Sequence, residues 1–110
     1  MTTAGETGER SKYIDRRYRE LMMAEAEDIR AQVIDTARLA VEAYDSGEKK
    51  LGLIVIKESI RLAGGYSDLR EQAGGDPLEA YELMAGLGMI KKLMEEDAEP
   101  ELVWSAYYDL

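Results

Sequence analysis

The sequence predicts an all-α fold, a small helical bundle of three to five helices built on one long N-terminal helix. Three observations carry that expectation. From Ser11 to Tyr44 there is neither Gly nor Pro, and good helix formers predominate. The apolar residues of that stretch are Ile14, Tyr18, Leu21/Met22, Ile29, Val33, Ala37, Ala40/Val41 and Tyr44. Their steps of three, four and seven trace one helix face. The hydrophobic set is also aliphatic, with no Phe and one Trp against six Met and many Leu, Ile, Val and Ala. Such a core suits helices packed on helices.

Each element has its own local signal. Residues 1–10 have little to bury and are expected to be a disordered N-terminal segment. Ser11 is the candidate N-cap of the long helix, whose apolar stripe is interrupted around Glu25, where a bend or break is expected. Asp45-Ser46-Gly47 is the stop, with Gly47 as the left-handed residue after the helix. Leu51 to Ile56 on its own reads equally as a buried strand, because its β-branched residues favour one. Helical spacing continues through Leu53, Ile56, Ile60 and Ala63, however, and a lone strand has no partner to pair with. A central helix, antiparallel to the first, is therefore expected, ending at Gly64-Gly65.

Ser67-Asp68 then opens a short polar helix that Gly74-Gly75 closes. Asp76-Pro77-Leu78-Glu79 is the sharpest local signal: an N-cap Asp, Pro at the first helical position, and Glu three residues after the cap. A helix is expected from Pro77 to about Glu96. Gly86 and Gly88 sit inside it, at a cost of about 1 kcal/mol each relative to Ala. That cost predicts close helix packing at both positions. The organisation is thus 1–10 disordered, 11–98 a helical bundle domain, and 99–110 an acidic aromatic C-terminal helix or tail.

Composition limits the chemistry. The chain of 110 residues contains no His and no Cys. These side chains supply most acid–base groups near neutral pH and most transition-metal ligands. Zinc sites, Cys–His or Ser–His nucleophile systems and thiol redox chemistry are excluded, and no catalytic residue, cofactor or metal is expected. Carboxylate pairs at helical spacing, Glu25/Asp28 and Glu79/Glu82, raise a Mg²⁺-dependent, carboxylate-only nucleotide pyrophosphohydrolase as an alternative. The fuller acidic motif of such enzymes is missing. A di-iron site of the ferritin type fails for want of His.

Charge is uneven along the chain. The net charge is −9, which disfavours a general polyanion binder. Yet Arg10, Lys12, Arg16, Arg17 and Arg19 are opposed locally only by Asp15 and Glu20, whereas Glu95 to Leu110 carries six acids and no base. Arg16, Arg17 and Arg19 are candidate partner-binding residues. Trp104, Tyr107 and Tyr108, aromatic side chains typical of interface hot spots, are the others. The tail that holds them either docks on a partner or folds back on its own core.

In a helix–turn–helix reading of Ile54 to Gln72, the second helix, Ser67 to Gln72, offers only Arg70 between acids, poor equipment for reading base edges. No apolar run is long enough to span a bilayer, and no secretory signal is evident. The expectation is a cytoplasmic, non-enzymatic protein–protein interaction module: a small adaptor, assembly subunit or regulator. Its protein partner is of unknown identity, a homo-oligomer such as a homodimer is expected, and nucleic acid is disfavoured. The alternatives are an acidic inhibitor occupying a partner's nucleic-acid-binding surface, a DNA-binding regulator using the Arg cluster, and the Mg²⁺ enzyme.

Overall fold

The computed structural model describes the backbone of residues 4–110 and the side chains of residues 12–110. Four helices follow one another: α1 (Ala4–Asp45), α2 (Lys49–Gln72), α3 (Pro77–Glu95) and α4 (Pro100–Tyr108). No strand occurs among the described residues, so Leu51–Ile56 is helical. α1 already begins at Ala4, so Ser11 lies inside the helix and does not cap it; of the segment 1–10 expected to be disordered, residues 1–3 lie outside the described residues.

The α1–α2 hairpin is the frame. Its turn is a C-terminal helix cap in which Glu48 N–H donates to Ala43 C=O at 2.9 Å and Gly47 N–H to Tyr44 C=O at 3.1 Å. Gly47 takes φ +94° there, a conformation that favours glycine. Beyond the turn the two helices approach closely because the residues between them are small. A Cβ built on Gly52 would lie 3.0 Å from the Ala40 carbonyl oxygen and 3.1 Å from Tyr44 Cβ. Farther along, the buried Ser59 hydroxyl donates to the Val33 carbonyl across the same seam at 2.8 Å. Ala26, Val33, Ala37, Ala40, Ile56 and Ala63, all fully buried, continue it.

α2 corrects the sequence reading. It runs unbroken through Gly64-Gly65, and no separate polar helix begins at Ser67. The flanking Ala63 and Tyr66 are both fully buried, so tertiary packing holds the helix through two poor helix formers. Gly74, at φ +77°, is the residue that ends it. Likewise α1 does not break at Glu25.

α3 returns along the hairpin and buries Ala80, Leu83, Leu87, Ile90 and Met94. The Asp76 carboxylate accepts from Leu78 N–H at 2.9 Å, as an N-cap should. Glu79 is not used as the reciprocal half of a capping box; its carboxylate turns instead to Arg70 at 3.1 Å. α4 then packs against both α1 and α3, burying Val103 completely. The Tyr44 hydroxyl donates to the Ala98 carbonyl at its root.

The helices are unequal in length. At 1.5 Å per residue α1 is about 63 Å long and α2 about 36 Å, and the molecule measures 69 × 19 × 16 Å. α1 therefore projects past the end of the bundle. Lys12 to Leu21 are all exposed, and Met22 is the first buried residue among those described.

The glycines of α2 give a paired prediction. Gly52→Ala places a methyl against backbone and should destabilise by about 1–3 kcal/mol. Gly64→Ala and Gly65→Ala meet nothing within 4 Å, so each should stabilise by roughly 0.5–1 kcal/mol through helix propensity. Urea unfolding of the three variants checks both signs.

Candidate interaction surfaces

Two regions hold the candidate partner-binding residues, and the fold sets them far apart. Arg16, Arg17 and Arg19 lie on the projecting end of α1. Trp104, Tyr107 and Tyr108 lie on α4, near the hairpin turn at the other end of the bundle.

On the projection, no second helix flanks these residues among those described. The exposed apolar side chains there are Tyr13, Ile14, Tyr18 and Leu21, each between 57% and 62% exposed. Arg17 pairs with Glu20 one turn on at 2.7 Å. The Arg16 guanidinium sits over the Tyr13 ring at 5.8 Å. Both contacts are local to the helix and exposed, so each contributes little.

The periodicity of α1 explains the change of character. Ala26, Val33 and Ala40 lie seven apart on the face turned to α2. Seven and fourteen residues before Ala26 the same line reaches Arg19 and Lys12. The parallel line through Tyr44 and Ala37 runs back to Arg30, Met23 and Arg16. Where α2 stops covering it, the core seam becomes basic. The shallow surface bounded by Lys12, Asp15, Arg16, Arg19, Glu20 and Met23 has walls from α1 alone, so it is an open helix side rather than an enclosed cavity.

The C-terminal aromatics are mostly committed to the chain's own fold. The Trp104 indole N–H donates to the Asp45 carboxylate at 2.9 Å, tying α4 to the end of α1. Tyr107 is half-buried and meets Trp104 edge-on at 5.7 Å. Tyr108 stacks on Trp104 at 5.8 Å and is 75% exposed. Of the three, Tyr108 offers the most free surface.

Leu110 reaches the middle of α3, where a Cβ on Gly86 would lie 2.6 Å from its Cδ2 atom. Gly86 thus makes room for the chain's own Leu110. The close packing expected at Gly88 is absent among the described residues, since a Cβ there meets nothing within 4 Å.

The acids of the C-terminal region do not meet the Arg cluster. Asp97 pairs with Lys49 and Glu95 with Lys91 at 3.8 Å. The Asp97 hydrogen bond holds the Lys49 ammonium above its ordinary range. Asp109 lines a groove between α1 and α3 together with Glu27, Arg30, Glu79, Glu82, Leu83 and Leu110. Among the described residues no group of three or more acidic side chains is placed to hold a metal ion. No described helix is long and apolar enough to cross a membrane.

Sequence reasoning took Arg70 only as the lone Arg of a weak DNA-reading helix, yet it is the most connected charge among the described residues. Its side chain is buried, and Nη1 lies 3.1 Å from Glu79 of α3 and 3.6 Å from Glu27 of α1. Nη1 also donates to the Tyr66 hydroxyl at 3.3 Å, and Nε to the Asp76 carbonyl at 3.4 Å. Arg70 therefore ties three helices and a turn together. It is not available to a helix that reads DNA, and the unbroken α2 removes the helix–turn–helix itself. The charge spacing Glu27, Arg70, Glu79 is nonlocal, so no sequence motif announces it.

No protein-family model, no curated protein and no solved structure matches this chain.

Two predictions follow from the anchoring contacts. Arg70→Ala should destabilise by about 1–3 kcal/mol in urea unfolding, and Arg70→Met should recover part of that through its apolar stem. The cost stays moderate because Glu27 and Glu79 remain solvated when the guanidinium is removed.

Tyr44 contributes to the alkaline limit of stability. Burial pushes its phenol above the ordinary tyrosine range, with Lys49 opposing and Asp97 and Glu99 reinforcing. Because the folded value is raised, the contribution is complete below about pH 10, the unfolded value, and is lost as pH rises through the folded one. Stability should fall more steeply above about pH 10 in the wild type than in Tyr44→Phe. Parallel pH titrations of the urea midpoint test the difference.

Proposed function

We propose that this chain is a non-enzymatic protein–protein interaction module, an adaptor, assembly subunit or regulator, whose contact element is the projecting end of α1. The observation that carries the proposal is the exposed set Tyr13, Ile14, Tyr18 and Leu21. None of the four is used by the chain's own core. An isolated helix of this length is marginal in water, and tertiary contact is what stabilises such segments. Amphipathic helices with anchors at i, i+4 and i+7 are a recurring mode of recognition, and Ile14, Tyr18 and Leu21 have that spacing.

The basic side chains Lys12, Arg16, Arg17 and Arg19 add orientation. Charges at the edge of an apolar contact steer association more than they strengthen it. The partner surface that suits this element is apolar with an acidic border. Trp104 and Tyr107 serve mainly to dock α4, leaving Tyr108 as an accessory contact. A cytoplasmic setting accompanies the proposal, supported by the absence of Cys.

Amide hydrogen exchange tests the contact element. Residues 12–21 of dilute protein should exchange quickly, as expected for a helix without tertiary cover. They should become protected in concentrated extract of the native host. Ile14→Ser/Tyr18→Ser/Leu21→Ser should remove that protection while changing the urea midpoint of the bundle little, since surface changes usually stay within about 0.5 kcal/mol. Equal exchange at 12–21 with and without extract would remove the projection as a contact element.

A further inference from the structure

α3 is apolar on both of its sides. Opposite the buried line of Ala80, Leu83, Leu87, Ile90 and Met94 stand Leu78, Tyr81, Ala85, Gly88 and Met89, all exposed. At 100° per residue Ala85 lies directly across the helix from that buried line. Leu78, Tyr81 and Met89 are 56%, 61% and 51% exposed, and none of the three packs against the core. A helix that is apolar all round is ordinarily covered all round. α2 also exposes Leu51 and Ile54, but it follows them with exposed Lys57, Glu58, Arg61 and Asp68.

Two further observations concern the centre of this face. A Cβ on Gly88 meets nothing within 4 Å, although glycine in mid-helix is less stable than alanine. The packing that would offset that cost is absent within the described chain. The face is also free of acid: its one charge is Lys92, and the nearby Glu82 belongs to the groove shared with Glu27 and Arg30 of α1.

The spacing of these residues is symmetric. Tyr81 and Met89 each lie four residues from Ala85, and Leu78 and Lys92 each lie seven. We infer that a second copy of this chain packs its α3 antiparallel on this face, about a twofold axis at Ala85. An isologous contact brings residues equally far from the axis to the same level. Ala85 then meets Ala85 of the second copy, Tyr81 is level with Met89 of the second copy, and Leu78 with Lys92 of the second copy.

The two edges of the face fit as well. At 100° per residue Tyr81 and Gly88 lie about 40° and about 60° to one side of Ala85, and Met89 about 40° to the other. The twofold axis keeps each edge on its own side. Tyr81 of one copy therefore covers Gly88 of the other, and the open space at Gly88 is the seat of a tyrosine ring. The Lys92 stem lies along Leu78 of the second copy while its ammonium stays in water.

Charge favours this approach over others. Copies of a chain with net charge −9 repel one another, and least where no acid faces the contact. Salt screens that repulsion and leaves apolar contact untouched, so salt should strengthen this dimer. Each α3 has 19 residues, about 28 Å of helix, which places the contact at the small end of stable interfaces and its dissociation in the micromolar range. The surface is separate from the projection of α1, which stays free for its own partner.

Sedimentation velocity of the full chain from about 1 to about 500 µM tests the contact. Wild type should dimerise, and more tightly at about 0.5 M salt than at low salt. Ala85→Glu and Ala85→Lys set like charges face to face on the axis, so each alone should weaken dimerisation at least about tenfold. An equimolar mixture of the two should dimerise again. Gly88→Gln fills the tyrosine seat and should also cost at least about tenfold, with a urea midpoint no lower than wild type. Ile14→Ser/Tyr18→Ser/Leu21→Ser should leave dimerisation unchanged. Because the chain has no Cys, Ala85→Cys should form a disulfide-linked dimer on mild oxidation. Leu78→Cys should not, since its two copies lie about 21 Å apart along the pair.

A wild type that stays monomeric across the whole range would overturn the inference. So would a dimer indifferent to Ala85→Glu or Gly88→Gln, a mixture of the two Ala85 variants that stays apart, or cross-linking at Leu78→Cys in preference to Ala85→Cys. Loss of the dimer in the α1 triple variant would overturn it too, by placing self-association on the projection.

Discussion

The close approach of α1 and α2 at Gly52 is the constraint on which the rest of this molecule depends. With Ala40 and Tyr44 backbone against its Cα hydrogens, Gly52 allows a seam that Ala37, Ala40, Ala63 and Ser59 continue. A seam of small residues leaves little volume between the two helices. The larger side chains, Tyr44, Tyr66, Ile56 and Leu87 among them, therefore fill the space shared with α3 and α4. In an aliphatic core without Phe, interdigitation of these side chains is what makes the bundle specific rather than merely collapsed.

Polar groups lock the frame at its two ends. At one end Tyr44 and Trp104 bind α4, through the Ala98 carbonyl and the Asp45 carboxylate. At the other, Arg70 gathers Glu27, Glu79 and the Asp76 carbonyl. In both locks the acidic partners, Asp45, Glu27 and Glu79, stay solvated, so the desolvation of the charged groups stays moderate. Between them the hydrophobic layers carry the stability, and outside them α1 continues alone.

That continuation is the functional question the fold poses. A chain that needed α1 only as a bundle helix would have no use for Lys12 to Leu21 as an exposed helix. The basic seam and the stripe of Ile14, Tyr18 and Leu21 are distinct sides of the same ten residues, suited to different contacts.

Much of this was legible in the residues. Uninterrupted helix formers and the three-four spacing identify α1. Asp76-Pro77 identifies the start of α3, and Gly47 the first turn, because each is a local backbone preference with a known cause. Helical continuation through Ile60 likewise separates helix from strand at Leu51–Ile56. What tertiary structure alone decided is which local weaknesses are overridden. Gly64-Gly65 reads as a stop, yet burial of Ala63 and Tyr66 on either side carries α2 through it. Glu79 reads as half of a capping box, yet Arg70, nine residues earlier, takes its carboxylate. Gly86 and Gly88 look alike in sequence, and only the return of Leu110 distinguishes them. In each case a contact between residues distant in the chain outweighs a local preference of about 1 kcal/mol, and no spacing along the sequence records that contact.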